Sequence, residues 1–169
     1  MEVKAKHMTD WSVAYKVALA TEGKTPTKEP SPEWIERMLQ AEHSPIRAKW
    51  YLLEFSDVPQ YVFAHLTRHK HGVEWFIHSQ RDDRRDNPVP RAQMPQGALN
   101  DGVCIINAQA LINISRVRLC NLASEETQQL WRNVKTAIYQ IDREMSFAMK
   151  PNCQYRGTCP EMRPCHKTK

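Results

Sequence analysis

The sequence predicts an α+β fold: a mostly helical single domain with one small sheet. Three observations carry that prediction. Apolar residues recur at helical spacing in several separate stretches; one segment around Trp50 is a run of large apolar residues; and proline-rich loops part them. The 169-residue length suits one domain with a core of reasonable size.

Residues 9–20, "TDWSVAYKVALA", mix apolar and polar groups at helical spacing and form the first predicted helix. "TEGKTPTKEPSP" carries three prolines and one glycine and reads as a loop. Ser31 then supplies a hydroxyl N-cap, Pro32 the first helical position and Glu33 an acid at the positive dipole end. Trp34, Ile35, Met38 and Leu39 give this second helix an apolar face as far as residue 42. "IRAKWYLLEF" reads as a strand. Pro59 opens a helix in which Val62, Phe63 and Leu66 face inward, delivering Arg68, His69 and Lys70 at its C-terminal end. "QRDDRRDNPVPRAQMPQG" is an exposed loop. Residues 103–122, with Ile106, Leu111, Ile114, Val117 and Leu119 apolar, predict a buried helix carrying Asn107, Gln109, Asn113, Arg116 and Arg118. A further helix is expected over residues 125–149, and the tail "KPNCQYRGTCPEMRPCHKTK" is irregular. The folded unit is therefore assigned to residues 1–150, with a Cys-rich tail over 151–169.

Charge and composition narrow the function. A net charge of +5 and a pI near 9.0 favour anionic partners. No run of eighteen apolar residues exists, which excludes a transmembrane helix, and the N-terminal stretch lacks a signal-peptide apolar core. A cytoplasmic location is the expectation. Five cysteines cannot all pair within one chain, and in that compartment thiols or a metal site are favoured over disulfides. The absence of G-x-G-x-x-G, P-loop and G-x-S-x-G motifs argues against Rossmann, Walker and α/β-hydrolase sites, and no tight carboxylate pair suggests a glycosidase.

Three constellations remain. Residues 68–81, "RHKHGVEWFIHSQR", put three histidines, two arginines and a lysine around Trp75 and Phe76. Such crowding is either solvated surface or the seat of an anion, since Arg presents a planar fork to phosphate and His donates or accepts near neutral pH. Stacking on Trp75 and Phe76 would also suit nucleic acid, but Asp82, Asp83 and Asp86 interrupt any basic stripe and favour a compact ligand. In "NAQALINISRVRLC", Gln109 and Asn113 are helical neighbours whose amides serve either backbone or a cofactor. The tail carries Cys153, Cys159, Cys165 and His166, but five-residue gaps are poor zinc spacing. A tail packed on a neighbouring subunit is the preferred reading there.

With these residues in view, the chain resembles the flavin-dependent thymidylate synthases, as a short and divergent member. The family's Arg-His-Arg, seven residues, Ser signature is matched by "RHK" at 68–70, with Ser79 one position late and His78 at the strict spacing. "EHSP" resembles the upstream His-x-Thr/Ser-Pro segment, and "PRAQMP" the Arg-x-x-x-Pro element through Arg91 and Pro95. "NAQALINISRVR" resembles the Asn-Ala-Arg-x-Leu-x-Asn-x-x-x-Leu-Arg helix, and "CQYRGTCPE" a Cys-rich ending of some members. Lys70 and Gln109 stand where the family has arginines, and Ile77 where it has a glutamate.

The resemblance implies an antiparallel sheet, a homotetramer with active sites shared between subunits, and residues 1–150 as the catalytic domain. It implies FAD as cofactor, NADPH and methylenetetrahydrofolate as co-substrates, and dUMP converted to dTMP. By position, Ser44, Arg68, His69, Lys70, Asn107, Gln109 and Asn113 would hold FAD. His65, Arg68, Ser79, Gln80, Arg81, Arg91 and Arg118 would bind the nucleotide, with Arg118 and His69 catalytic. A related chemistry on another pyrimidine nucleotide, by methyl or hydroxymethyl transfer, and a non-catalytic nucleotide- or nucleic-acid-binding role are the alternatives.

Overall fold

The computed structural model describes residues 1–84 and 89–165. Its chain order is β1 (Glu2–His7), α1 (Trp11–Ala20), α2 (Pro32–Ala41), a 3₁₀ turn (Ser44–Ala48), β2 (Trp50–Pro59), α3 (Gln60–Leu66), β3 (Val73–Ile77), β4 (Leu99–Asn107), α4 (Ala108–Arg118), α5 (Glu125–Ile141), α6 (Arg143–Ala148) and α7 (Asn152–Arg156). The four strands form one antiparallel sheet in the order β1-β2-β4-β3. The protein is thus a helical α+β domain with a small antiparallel sheet. Among the described residues no helix is long and apolar enough to cross a membrane.

One face of the sheet is covered. Tyr51, Leu53 and Phe55 of β2 and Cys104 and Ile106 of β4 alternate into the core, where Leu130, Trp131, Val134 and Ile138 of α5 are also fully buried. At about 25 cal/mol per Å² of apolar surface removed from water, burial of these large side chains is the main stabilising contribution. The register of β2 against β4 shifts between Phe55 and Val58, where Asp57 adopts φ 57° and its N–H donates to Asp101 Oδ1 at 3.0 Å. This bulge bends β2 into α3.

Several elements follow the sequence. Ser31 caps α2, its hydroxyl accepting from Trp34 N, and Val62, Phe63 and Leu66 of α3 are buried. Others differ. The helix expected over 103–122 begins only at Ala108: residues 99–107 are strand β4, whose β-branched run reads alike as strand or buried helix. The helix expected over 125–149 breaks at Asp142 (φ −151°), whose carboxylate caps α6 through Met145 N and accepts from Trp11 Nε1 and Tyr51 OH, both at 2.7 Å. A helical Asp142 would leave those two buried donors without an acceptor. Strand β1 carries too many charged and exposed positions to read as a strand, β3 (VEWFI) is a short β-prone run set inside the basic cluster, and the tail contains the short helix α7. Arg68, His69 and Lys70 lie beyond the end of α3, in the loop to β3, and not on the helix.

Candidate active site

The β4–α4 junction organises the centre of the site. Asn107 is the N-cap of α4, its Oδ1 accepting from Ala110 N at 2.9 Å. Its own N–H donates to the carbonyl of Gly72 at 2.9 Å. Gly72 has φ 73°, and a Cβ there would sit 2.6 Å from the Asn107 side chain. The loop of residues 67–72 is therefore pressed onto the start of α4, which only glycine permits.

Helix α4 then returns its last residue to that loop. Arg118 donates from Nε to His69 Nε2 at 3.1 Å and from its terminal nitrogen to the carbonyl of His65 at 2.7 Å. His69 Nε2 is the acceptor, so the ring proton sits on Nδ1. Burial and the neighbouring Arg118 charge hold the His69 pKa below its ordinary value, which keeps the ring neutral at pH 7. Trp75 Nε1 donates to the His69 carbonyl at 3.1 Å and fixes the loop from the β3 side. The His65 ring contacts Thr127 Oγ1 at 3.1 Å, tying α3 to α5.

Arg118 is itself perturbed: burial and the nearby Arg68 charge lower its pKa. The Arg68 charge thus reaches Arg118, and Lys70 and His71, which follow Arg68 in the same loop, are exposed. Among the described residues no carboxylate pairs with Arg68, Lys70 or Arg118. Uncompensated cations of this kind present positive charge that an anion could meet.

The other predicted residues fall in two further places. Gln109, Asn113 and Arg116 follow one another at intervals of four and three, forming one stripe of α4, whereas Arg118 stands roughly 140–180° around the helix from Asn113 and Gln109. Gln109 Nε2 donates to Glu42 at 2.6 Å and to Asn113 Oδ1 at 3.3 Å, and Arg116 forms an ion pair with Glu42. Glu42 sits at φ 50° just before the 3₁₀ turn that holds exposed Ser44, so this stripe, Ser44 and the tail's Tyr155 share one side of the molecule.

Ser79, Gln80 and Arg81 follow β3. Ser79 Oγ accepts from Arg81 N at 3.3 Å, and Arg81 makes a two-pronged pair with Asp83 at 2.9 and 2.7 Å. Asp82 Oδ1 accepts from Arg91 N at 2.8 Å, which brings the Arg91 backbone beside Asp82. Asn100 Nδ2 holds the His78 carbonyl at 3.0 Å, and His78 and Ser79 are thereby fixed to the end of β4. Asp86 and His166 lie outside the described residues.

No family model matches the sequence, and no curated protein does. Solved structures do match. Two structures of ThyX, a flavin-dependent thymidylate synthase of Helicobacter pylori, both with FAD and dUMP, are similar to this chain with a TM-score of 0.71 and 16% identity. The alignments cover 88% of this chain and 97% and 98% of those chains. The fold is ThyX-like. At that identity the likeness is one of architecture, spanning nearly the whole of each neighbour, while the side chains of the site are this protein's own. Sequence reasoning missed two residues the structure makes central, Glu42 and Gly72. Glu42 stood in the "EHSP" motif, and Gly72 was marked by its place between a basic run and a strand.

Proposed function

We propose that this chain is a flavin-dependent thymidylate synthase, methylating dUMP to dTMP with methylenetetrahydrofolate as carbon donor and NADPH as reductant. The observation that carries the reading is the Arg118–His69–His65 constellation, set beside Arg68 with no acid to neutralise it, on a ThyX-like fold. Solved neighbours of that fold are described with FAD and dUMP, which is the ligand chemistry this cationic surface suits.

The residues present fit FAD. Arg68 and Lys70 offer charge-assisted donors for a pyrophosphate, though Lys70 is a point charge where a fork would bind two oxygens. Asn107, Gln109, Asn113 and Ser44 complete the proposed cofactor set, and FAD when bound supplies the redox and one-carbon transfer chemistry. Arg118, held at two points, orients its guanidinium toward the pyrimidine, where negative charge develops. A fixed donor of that kind contributes about 3–4 kcal/mol to transition-state stabilisation. Neutral His69 accepts from Arg118 and fixes its plane. Ser79, Gln80, Arg81 and Arg91 are assigned to the dUMP phosphate, and His65 to the nucleotide's edge.

The division of the proposed residues between two sides of α4 supports a homotetramer in which one subunit's Gln109 side faces another's Arg118 side. Residues 1–150 form the catalytic unit in this reading, residues 151–169 an appended tail, and the protein works in the cytoplasm. The test is retention of flavin. Protein mixed with FAD and passed through a desalting column is expected to elute yellow, and dUMP is expected to perturb the flavin spectrum. A colourless eluate sinks the assignment; flavin without response to dUMP points to another pyrimidine nucleotide.

A further inference from the structure

We propose that Cys120, Cys153, Cys159 and Cys165 together bind one zinc-class divalent cation, which fastens the tail to the C-terminal end of α4. This site is independent of the function proposed above. Four of the five cysteines line a single cavity of about 580 Å³, with Leu119, Asn121, Pro151 and Gly157 among its other walls. Each of the four is partly exposed, while Cys104 is fully buried in β4 and its thiol is pushed up by burial. One cysteine therefore packs as a hydrophobe and four face a shared space.

Among the described residues the lining contains no carboxylate and no imidazole. A donor set of sulfur alone selects soft or borderline ions such as Zn²⁺ and rejects Mg²⁺ and Ca²⁺. Two donors already address the sulfurs. Asn121 Nδ2 donates to Cys165 Sγ at 3.7 Å, and the Leu122 backbone N–H faces the Cys120 thiol, the kind of contact that orients thiolates on a metal.

The ends of the site are pinned. Gln128 Nε2 bonds the Cys120 carbonyl at 3.0 Å and Asn121 Oδ1 at 3.2 Å, holding Cys120 two residues beyond Arg118. Gly157 (φ 75°) ends α7 and turns the chain between Cys153 and Cys159. Among the described residues no three potential ligands are yet gathered into a coordination shell. Binding then draws the three tail thiols inward onto Cys120, each giving its proton to solvent as its sulfur bonds the metal.

The test uses the full chain, reduced and metal-free, titrated anaerobically with Co²⁺ and then Zn²⁺, with metal content of the zinc-loaded protein measured separately. One ion per chain is expected, with tetrahedral Co²⁺ bands, sulfur-to-cobalt charge transfer, displacement by Zn²⁺, and a higher Tm when loaded. Cys120→Ser, Cys153→Ser, Cys159→Ser and Cys165→Ser are each expected to weaken binding at least tenfold, as judged by Zn²⁺ competition on variants whose circular dichroism matches the parent. Absence of charge transfer, substoichiometric metal, or undiminished affinity in any of the four overturns the proposal.

Discussion

The two sides of α4 carry the same residue type in opposite electrostatic states. Arg116 is bound to Glu42, the two side chains 19% and 16% exposed, and its guanidinium stacks 3.7 Å from the Tyr155 ring. Arg118, two residues later, has no acid; it leans on a neutral histidine and a carbonyl, with Arg68 close by. A paired and stacked guanidinium has its charge neutralised within the protein and serves the fold, although the Arg116 Nε is buried without a hydrogen-bond partner. One held in place by neutral acceptors keeps its charge available, and that is the state a binding site for an anion requires. Proximity in sequence is thus no guide to role: a shift of two positions along a helix turns a side chain by about 160° and changes its partners.

The largest expected effect comes from breaking the unpaired side. Arg118→Ala is expected to lower the rate of dTMP formation by about 10²–10³-fold, the loss typical of one transition-state donor, while FAD remains bound. Initial rates and flavin absorbance on the same preparation check both halves. Loss of flavin and turnover together would assign Arg118 to the cofactor instead.

Breaking the paired side acts on stability. Glu42→Ala removes the acceptor of both Gln109 and Arg116 and leaves a half-buried guanidinium uncompensated, which costs about 2 kcal/mol. Urea unfolding reads the loss, and limited proteolysis is expected to cut the tail near Tyr155 sooner than in the parent. An unchanged midpoint would mean that the stripe is not structural.

The junction common to both sides gives a smaller change. Asn107→Ala removes the α4 cap and is expected to cost about 1 kcal/mol by the same unfolding measurement. A cost near zero would mean that the cap adds nothing to α4.

The smallest effect is a titration. Its folded pKa lies below the unfolded value, so His69 favours the unfolded chain as pH falls below the ordinary histidine range, and stability declines through that window. Above that range both states are neutral and the effect vanishes. Arg118→Ala removes one of the two causes of the depression, and the His69 pKa is expected to rise in an NMR titration. A fall would contradict the Arg118–His69 contact.

Much of the scaffold was legible in the sequence because it depends on local chemistry. Ser31 announces α2 by its own hydroxyl, and the apolar triplet Val62, Phe63 and Leu66 announces the buried face of α3. What failed was non-local. The break at Asp142 depends on Trp11, 131 positions away, and on Tyr51, 91 positions away. Strand β1 is visible only once β2 and α5 cover Val3 and Ala5; its own residues, "EVKAKH", are mostly exposed and charged. The apolar run through Ile105 and Ile106 fits either period, and Asn107 marks the switch from strand to helix only when seen as a cap.

The candidate site divides the same way. Its members were named from a resemblance, because the contact between Arg118 and His69 spans 49 positions and no spacing rule reaches that far. The sequence could not show that Gln109 and Asn113 turn away from Arg118 and toward Glu42, nor that Cys120 faces the cysteines of the tail.

The most direct measurement is anaerobic incubation of the purified protein with FAD, NADPH, methylenetetrahydrofolate and dUMP, with the nucleotides separated and weighed by mass spectrometry. The account predicts dTMP, dependent on every component and lost in Arg118→Ala. Recovery of unaltered dUMP from flavin-loaded protein would contradict it.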